Sequence, residues 1–238
     1  MNDQTQKIVR VAANNNFNCT AEEFAQLDEM ADKNPNCFFF INSNIKTPRL
    51  SAVNDHKYRA VITVNPDLHV KEEQVARLYT VDFDKVAFVR VKWLPENAPI
   101  EDLALGLSEH GYNVVITSQR FNSKDSLRKY TSFEHYEFSC SRYRLSGAAL
   151  EYLERFVDSH PRIHMCDRAE LGCQGCGLCS KLTTGEDKPI LSVNLSTSGV
   201  CKYNCPDCYA HQLQNFQIAT GKRPMKYDTI KKNRKQRG

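Results

Sequence analysis

Seven of the ten cysteines in this chain, Cys166, Cys173, Cys176, Cys179, Cys201, Cys205 and Cys208, lie between positions 166 and 208. That density restricts the fold more than any other feature, because it demands tight turns that bring several sulfurs to one place. The other three, Cys19, Cys37 and Cys140, are scattered as small buried hydrophobes usually are. The first ten residues are polar and carry no signal-peptide core, and no apolar run approaches the roughly 18–20 residues of a membrane span. The expectation is a cytoplasmic protein without membrane contact. In that reducing setting clustered thiols bind metal or do redox chemistry rather than form stable disulfides.

The cysteines form two sets. The first, Cys166, Cys173, Cys176 and Cys179, has the spacing C-x6-C-x2-C-x2-C in the string CDRAELGCQGCGLC. Four thiolates close a tetrahedral Zn²⁺ site or hold a [4Fe–4S] cluster. Gly172, Gly175 and Gly177 between them permit the turns that either requires. The second set, Cys201, Cys205 and Cys208, has the spacing C-x3-C-x2-C. Three ligands leave a four-coordinate metal or a cubane cluster one ligand short, the open position that catalysis uses.

The remaining sequence alternates strand and helix patterns. Strands are expected at Cys37–Ile41, Tyr58–Val64, Val86–Leu94, Val114–Thr117, Tyr136–Tyr143, Arg162–Met165 and Ile190–Leu195. Helices are expected from Thr20 to about Lys33, over Lys71–Tyr79, over Ile100–His110 closed by Gly111, and over Ala148–Val157 capped by Ser146. Val86–Leu94 is almost continuously apolar, as a parallel strand covered on both faces should be. The expected fold class is α/β, a mostly parallel sheet forming a full or partial (β/α) barrel; an open doubly wound sheet fits the same periodicity. The expected organisation is an irregular segment 1–20, one α/β domain 21–220 that includes the cysteine-rich segment 164–210, and a basic tail 221–238.

The string LSVNLSTSGVCKYNCPDCYA couples a strand, a small polar turn and CxxxCxxC followed by an aromatic residue. It resembles the cluster loop of the radical S-adenosylmethionine superfamily. Its Cys-Tyr-Ala ending (Cys208, Tyr209, Ala210) and the Cys-Gly-Leu-Cys string at Cys176–Cys179 look like features of phage-associated proteins of that type. The resemblance implies a [4Fe–4S] cluster on Cys201, Cys205 and Cys208, with S-adenosylmethionine on the fourth iron. One-electron reduction would then yield a 5′-deoxyadenosyl radical that abstracts hydrogen from a substrate the sequence does not identify. It also implies an electron donor such as flavodoxin or ferredoxin, and a second [4Fe–4S] cluster or Zn²⁺ on the first cysteine set. In the family the cluster loop follows the first barrel strand, whereas here most strands precede it. The barrel is therefore expected to be circularly permuted.

If strand ends face the cluster, Arg90, Lys92, Thr117, Gln119 and Ser196 are candidates to bind cofactor, with Trp93, Ser118 and Arg120 beside them. His160 and His164 flank Cys166 as possible ligands. A different reading remains open. Cys173-x2-Cys176 and Cys205-x2-Cys208 could form a zinc ribbon, or His211 could complete a CCCH site. The tail from Gly221 onward has eight basic residues against Asp228 alone, a charge of +7 against −3 for the rest of the chain. Zinc and tail together would describe a nucleic-acid-binding protein. No P-loop or GxGxxG fingerprint occurs, which argues against a nucleotide hydrolase or an NAD-dependent enzyme.

Overall fold

A computed structural model describes residues 7–12, 16–65, 72–95, 98–139, 142–166, 178–186 and 190–193. In chain order the strands are β1 (Lys7–Val11), β2 (Cys37–Asn44), β3 (Arg59–Val64), β4 (Val86–Trp93), β5 (Val114–Ser118), β6 (Tyr136–Ser139), β7 (Arg142–Leu145), β8 (Ile163–Met165) and β9 (Ile190–Val193). The helices are α1 (Ala21–Asp32), α2 (Glu72–Leu78), α3 (Ala98–Glu109), α4 (Lys124–Arg128), α5 (Gly147–Asp158) and α6 (Leu178–Thr184).

Seven strands form one parallel sheet in the order β8-β5-β4-β3-β2-β1-β9, of half-barrel type. From β1 to β5 and on to β8 the order advances one position at a time in one direction. β9 then reverses the direction, returning across the sheet to pair with β1, and α6 of that crossover lies on the opposite face. Right-handed crossovers in a single direction put their helices on one face of the sheet. The burial pattern agrees. Val9, Ile41, Ile62, Val91 and Ile116 share a core with Leu27 of α1, Leu107 of α3 and Leu153 of α5. Ile8, Phe40, Val61, Phe88, Val115 and Ile190 point the other way, into a second core closed by Leu178, Cys179 and Leu182 of α6. Burial of both faces is what makes β4 read as a nearly unbroken apolar run.

Local sequence sets the element ends. Thr20 caps α1 through a capping box: its Oγ1 accepts from the Glu23 amide at 3.2 Å, and its own amide donates to Glu23 Oε2 at 3.4 Å. Beyond α3 the chain turns at Gly111, whose φ of 92° suits glycine.

Three expectations need correction. Residues 1–20 are not uniformly irregular, because Lys7–Val11 is β1 and lies between β2 and β9 inside the sheet. The α/β domain therefore begins before residue 21. Tyr136–Tyr143 is not one strand but belongs to the antiparallel pair β6–β7, which pairs Tyr136 with Leu145 and Ser139 with Arg142.

Candidate functional site

Side chains two apart on a strand share a face, so the register reveals what lines the α6 side of the sheet. Near the N-terminal ends of the strands this face is apolar: Phe40, Val61, Phe88 and Val115. Toward the C-terminal ends it becomes polar. One rung runs Asn44, Thr63, Arg90, Val115, His164 across β2, β3, β4, β5 and β8. The rung above it pairs Lys92 with Thr117. Arg10 of β1 stands opposite Ser192 of β9. The mouth of the half-barrel is thus polar and cationic above a hydrophobic floor.

Arg90 organises the middle of this face. Its Nη1 donates to Asn42 Oδ1 at 3.0 Å, its Nη2 lies 4.0 Å from Cys179 Sγ, and its guanidinium covers the Phe88 ring at 5.6 Å. Asn42 Nδ2 in turn reaches the Ala12 carbonyl at 3.4 Å. At the opposite end, Arg59 fastens α6 to the sheet by donating to the carbonyls of Thr183 at 2.7 Å, Val86 at 3.0 Å and Asp84 at 3.1 Å.

Cys179 of α6 is buried in this second core, and half-buried Cys166 packs against the same core. The Cys166 amide donates to the Ile116 carbonyl at 2.9 Å, which continues the β5–β8 ladder to the mouth. Two members of the first cysteine set therefore arrive on one face of the sheet. Sulfur is a soft donor, and Arg90 presents an N–H group to the Cys179 sulfur. Cys173 and Cys176 lie outside the described residues, as do Cys201, Cys205, Cys208 and Ser196. Among the described residues no three His, Cys, Asp or Glu side chains gather into a metal site. No helix among them is long and apolar enough to cross a membrane.

On this face Thr63 Oγ1, Thr117 Oγ1 and His164 Nε2 are buried without a hydrogen-bond partner among the described residues. Burial, reinforced by the Lys181 charge, holds the His164 pKa below the usual imidazole value, so the ring is neutral at pH 7. A buried orphan costs about 1–3 kcal/mol, which a group that satisfied these atoms would recover.

Above β3–β5 lies a cavity of about 420 Å³, lined by Asn65, Lys92, Gln119, Arg120, Phe121 and Tyr130 among others. Sequence-selected Arg90, Lys92, Thr117 and Gln119 therefore come together on the mouth side. Trp93 and Ser118 do not. Trp93 is buried in the core on the opposite face, where its Nε1 donates to Glu101 Oε1 at 3.0 Å, and Ser118 is likewise buried. His160 caps its own helix end, its Nδ1 lying 2.7 Å from the Phe156 carbonyl. Sequence reasoning missed Asn42, Asn44 and Thr63. The available signal was polar residues at alternate positions of strands too buried to expose them.

Compared with protein-family models and with curated proteins, the chain matches none.

Proposed function

We propose that the chain is a circularly permuted, radical S-adenosylmethionine-type iron–sulfur enzyme. The observation that carries this reading is the strand order. β9, which leads into the three-cysteine loop, lies beside β1, and β2, β3, β4, β5 and β8 follow in sequence. Taking β9 as the first strand gives the consecutive order β9-β1-β2-β3-β4-β5-β8, the order a circularly permuted barrel would have. The register pairs Val193 with Val11, so β9 ends level with β1 on the mouth side. Cys201 follows eight residues beyond Val193, within reach of the polar rungs.

A [4Fe–4S] cluster on Cys201, Cys205 and Cys208 would supply one-electron cleavage of the S-adenosylmethionine sulfonium and, from it, hydrogen-atom abstraction. The chain's own residues supply the surroundings. The floor of Phe40, Phe88 and Val115 keeps water from below. Arg90 holds Asn42 and Cys179 in fixed relation beneath the mouth. Thr63 and Thr117 offer buried hydroxyls to a bound molecule, and neutral His164 offers Nε2. Cys166 and Cys179, with Cys173 and Cys176, would hold a second metal centre.

The test is iron, sulfide and zinc content after anaerobic purification, followed by assay for reductive cleavage of S-adenosylmethionine. About four to eight irons per chain with matching sulfide support the reading. Zinc alone would reject it in favour of a zinc-dependent nucleic-acid binder.

A further inference from the structure

We propose that the β6–β7 ribbon binds single-stranded nucleic acid, stacking an unpaired base on Phe138 and holding phosphates with Lys124 and Arg128. This goes beyond the iron–sulfur reading and stands whichever metal the cysteines hold.

The ribbon is a separate two-stranded sheet. It is fastened to the body where Phe121 and Tyr143 exchange backbone hydrogen bonds at 3.2 and 2.8 Å. Phe121 lies just beyond the end of β5, so the ribbon is rooted at the mouth end of the sheet. Register sorts its side chains. Tyr136 pairs with Leu145 and Phe138 with Tyr143, and these four share one face. Tyr136 and Leu145 are buried and anchor that face in the core. Phe138 is 63% exposed, the most exposed large apolar side chain among the described residues. It ends an aromatic row, since Tyr143 lies 5.0 Å from Phe138 and 5.5 Å from Phe133. The open ring of such a row offers its face to a further planar group.

Charge selects the occupant. Lys124 and Arg128, one turn apart on α4, each stand 5.3 Å from the centre of the Phe133 ring. Both are exposed, and among the described residues neither pairs with a carboxylate. A cation resting on a ring keeps N–H groups for a phosphate oxygen. Of the nearby carboxylates, Asp125 sits about 100° around α4 from Lys124. Glu137 is on the other face of the ribbon, and Glu134 lies 3.8 Å from His135. Cations beside an exposed aromatic row match a strand with an anionic backbone and bases free to stack. A duplex keeps its bases stacked on one another, and an acidic peptide would use the cations and leave Phe138 bare.

The experiment uses the full chain carrying Phe138→Trp as a fluorescent reporter, since native Trp93 is buried. Oligo-uridine and oligo-thymidine of about twelve nucleotides, a duplex of equal length and heparin are titrated in separately. Either single strand should quench the introduced indole, and the duplex and heparin should not. With a labelled single strand, Phe138→Ala should weaken binding about tenfold. Lys124→Gln and Arg128→Gln should each reduce the slope of log affinity against log salt by about 0.7. Lys57→Gln, a remote exposed cation, should leave it unchanged. All these side chains are exposed, so the variants keep the fold. Heparin quenching as strongly as the single strands would mean that charge alone binds, as the basic tail could, and would overturn the proposal. So would single strands that leave the indole unquenched, or unchanged affinity in Phe138→Ala, either of which would assign the exposed face to a protein partner.

Discussion

Arg59 on β3 donates from Nη1 to the carbonyl of Thr183 at 2.7 Å, joining the C-terminal turn of α6 to a strand 124 positions earlier. The same guanidinium satisfies the carbonyls of Asp84 and Val86. Arg59→Met should therefore cost about 1–3 kcal/mol, because it removes the donor from several carbonyls at once. Hydrogen exchange should show α6 losing protection before β4. Equal protection in both would mean that α6 is held by its apolar contacts alone.

The two cysteine sets should separate by metal content. Cys205→Ala is expected to lose one centre and keep the other, and Cys179→Ala to do the reverse. Iron, sulfide and zinc analysis of the two variants checks this. Loss of all metal from both would mean a single shared centre.

Thr63→Val exchanges an unpartnered hydroxyl for a methyl group. This should raise stability by about 1 kcal/mol, since a buried orphan disappears. Chemical denaturation of the two proteins tests this. A destabilised Thr63→Val would show that the hydroxyl already has a structural partner.

At the start of α1, Thr20→Ala should cost about 1 kcal/mol by removing the acceptor for the Glu23 amide. Glu23 also accepts from the Asn18 amide at 2.7 Å and from Asn18 Nδ2 at 3.0 Å. Glu23→Ala should therefore cost more than Thr20→Ala in the same denaturation series.

Burial pushes the Cys19 thiol up from 9.0 to about 12. The unfolded chain releases this proton first, so the contribution is fully present below about pH 9 and is lost as the pH rises toward 12. Across that window Cys19→Ala should lose less stability than the parent, with a slope difference of up to about 1.4 kcal/mol per pH unit. Parallel pH profiles for the two proteins would show that Cys19 does not titrate in this range.

The sequence revealed elements whose own residues dictate them. α1 carries its cap and its apolar stripe, and Val86–Trp93 could only be a strand covered on both sides. It failed where tertiary context decides. KIVRV is five residues in a polar stretch, and only the partners β2 and β9 on either side make it a strand. In the β6–β7 pair no Gly, Asn or Pro marks a turn between Phe138 and Tyr143, so alternation alone suggested one strand. α6 lay hidden inside a cysteine string whose metal spacing masked the apolar pair Leu178 and Leu182. At the site, strand-end reasoning found Arg90, Lys92, Thr117 and Gln119. It misjudged Trp93 because a one-residue step along a strand reverses the face.

The pairing of β1 with β9 also carries a cost in chain entropy. Ile8 meets Phe38 after 30 residues of chain but Ile190 only after 182. That is about 2.6 doublings of loop length, roughly 1.6 kcal/mol of additional closure entropy. The β1–β9 edge therefore carries the largest loop-closure cost in the sheet, a cost the β1–β5 body does not bear.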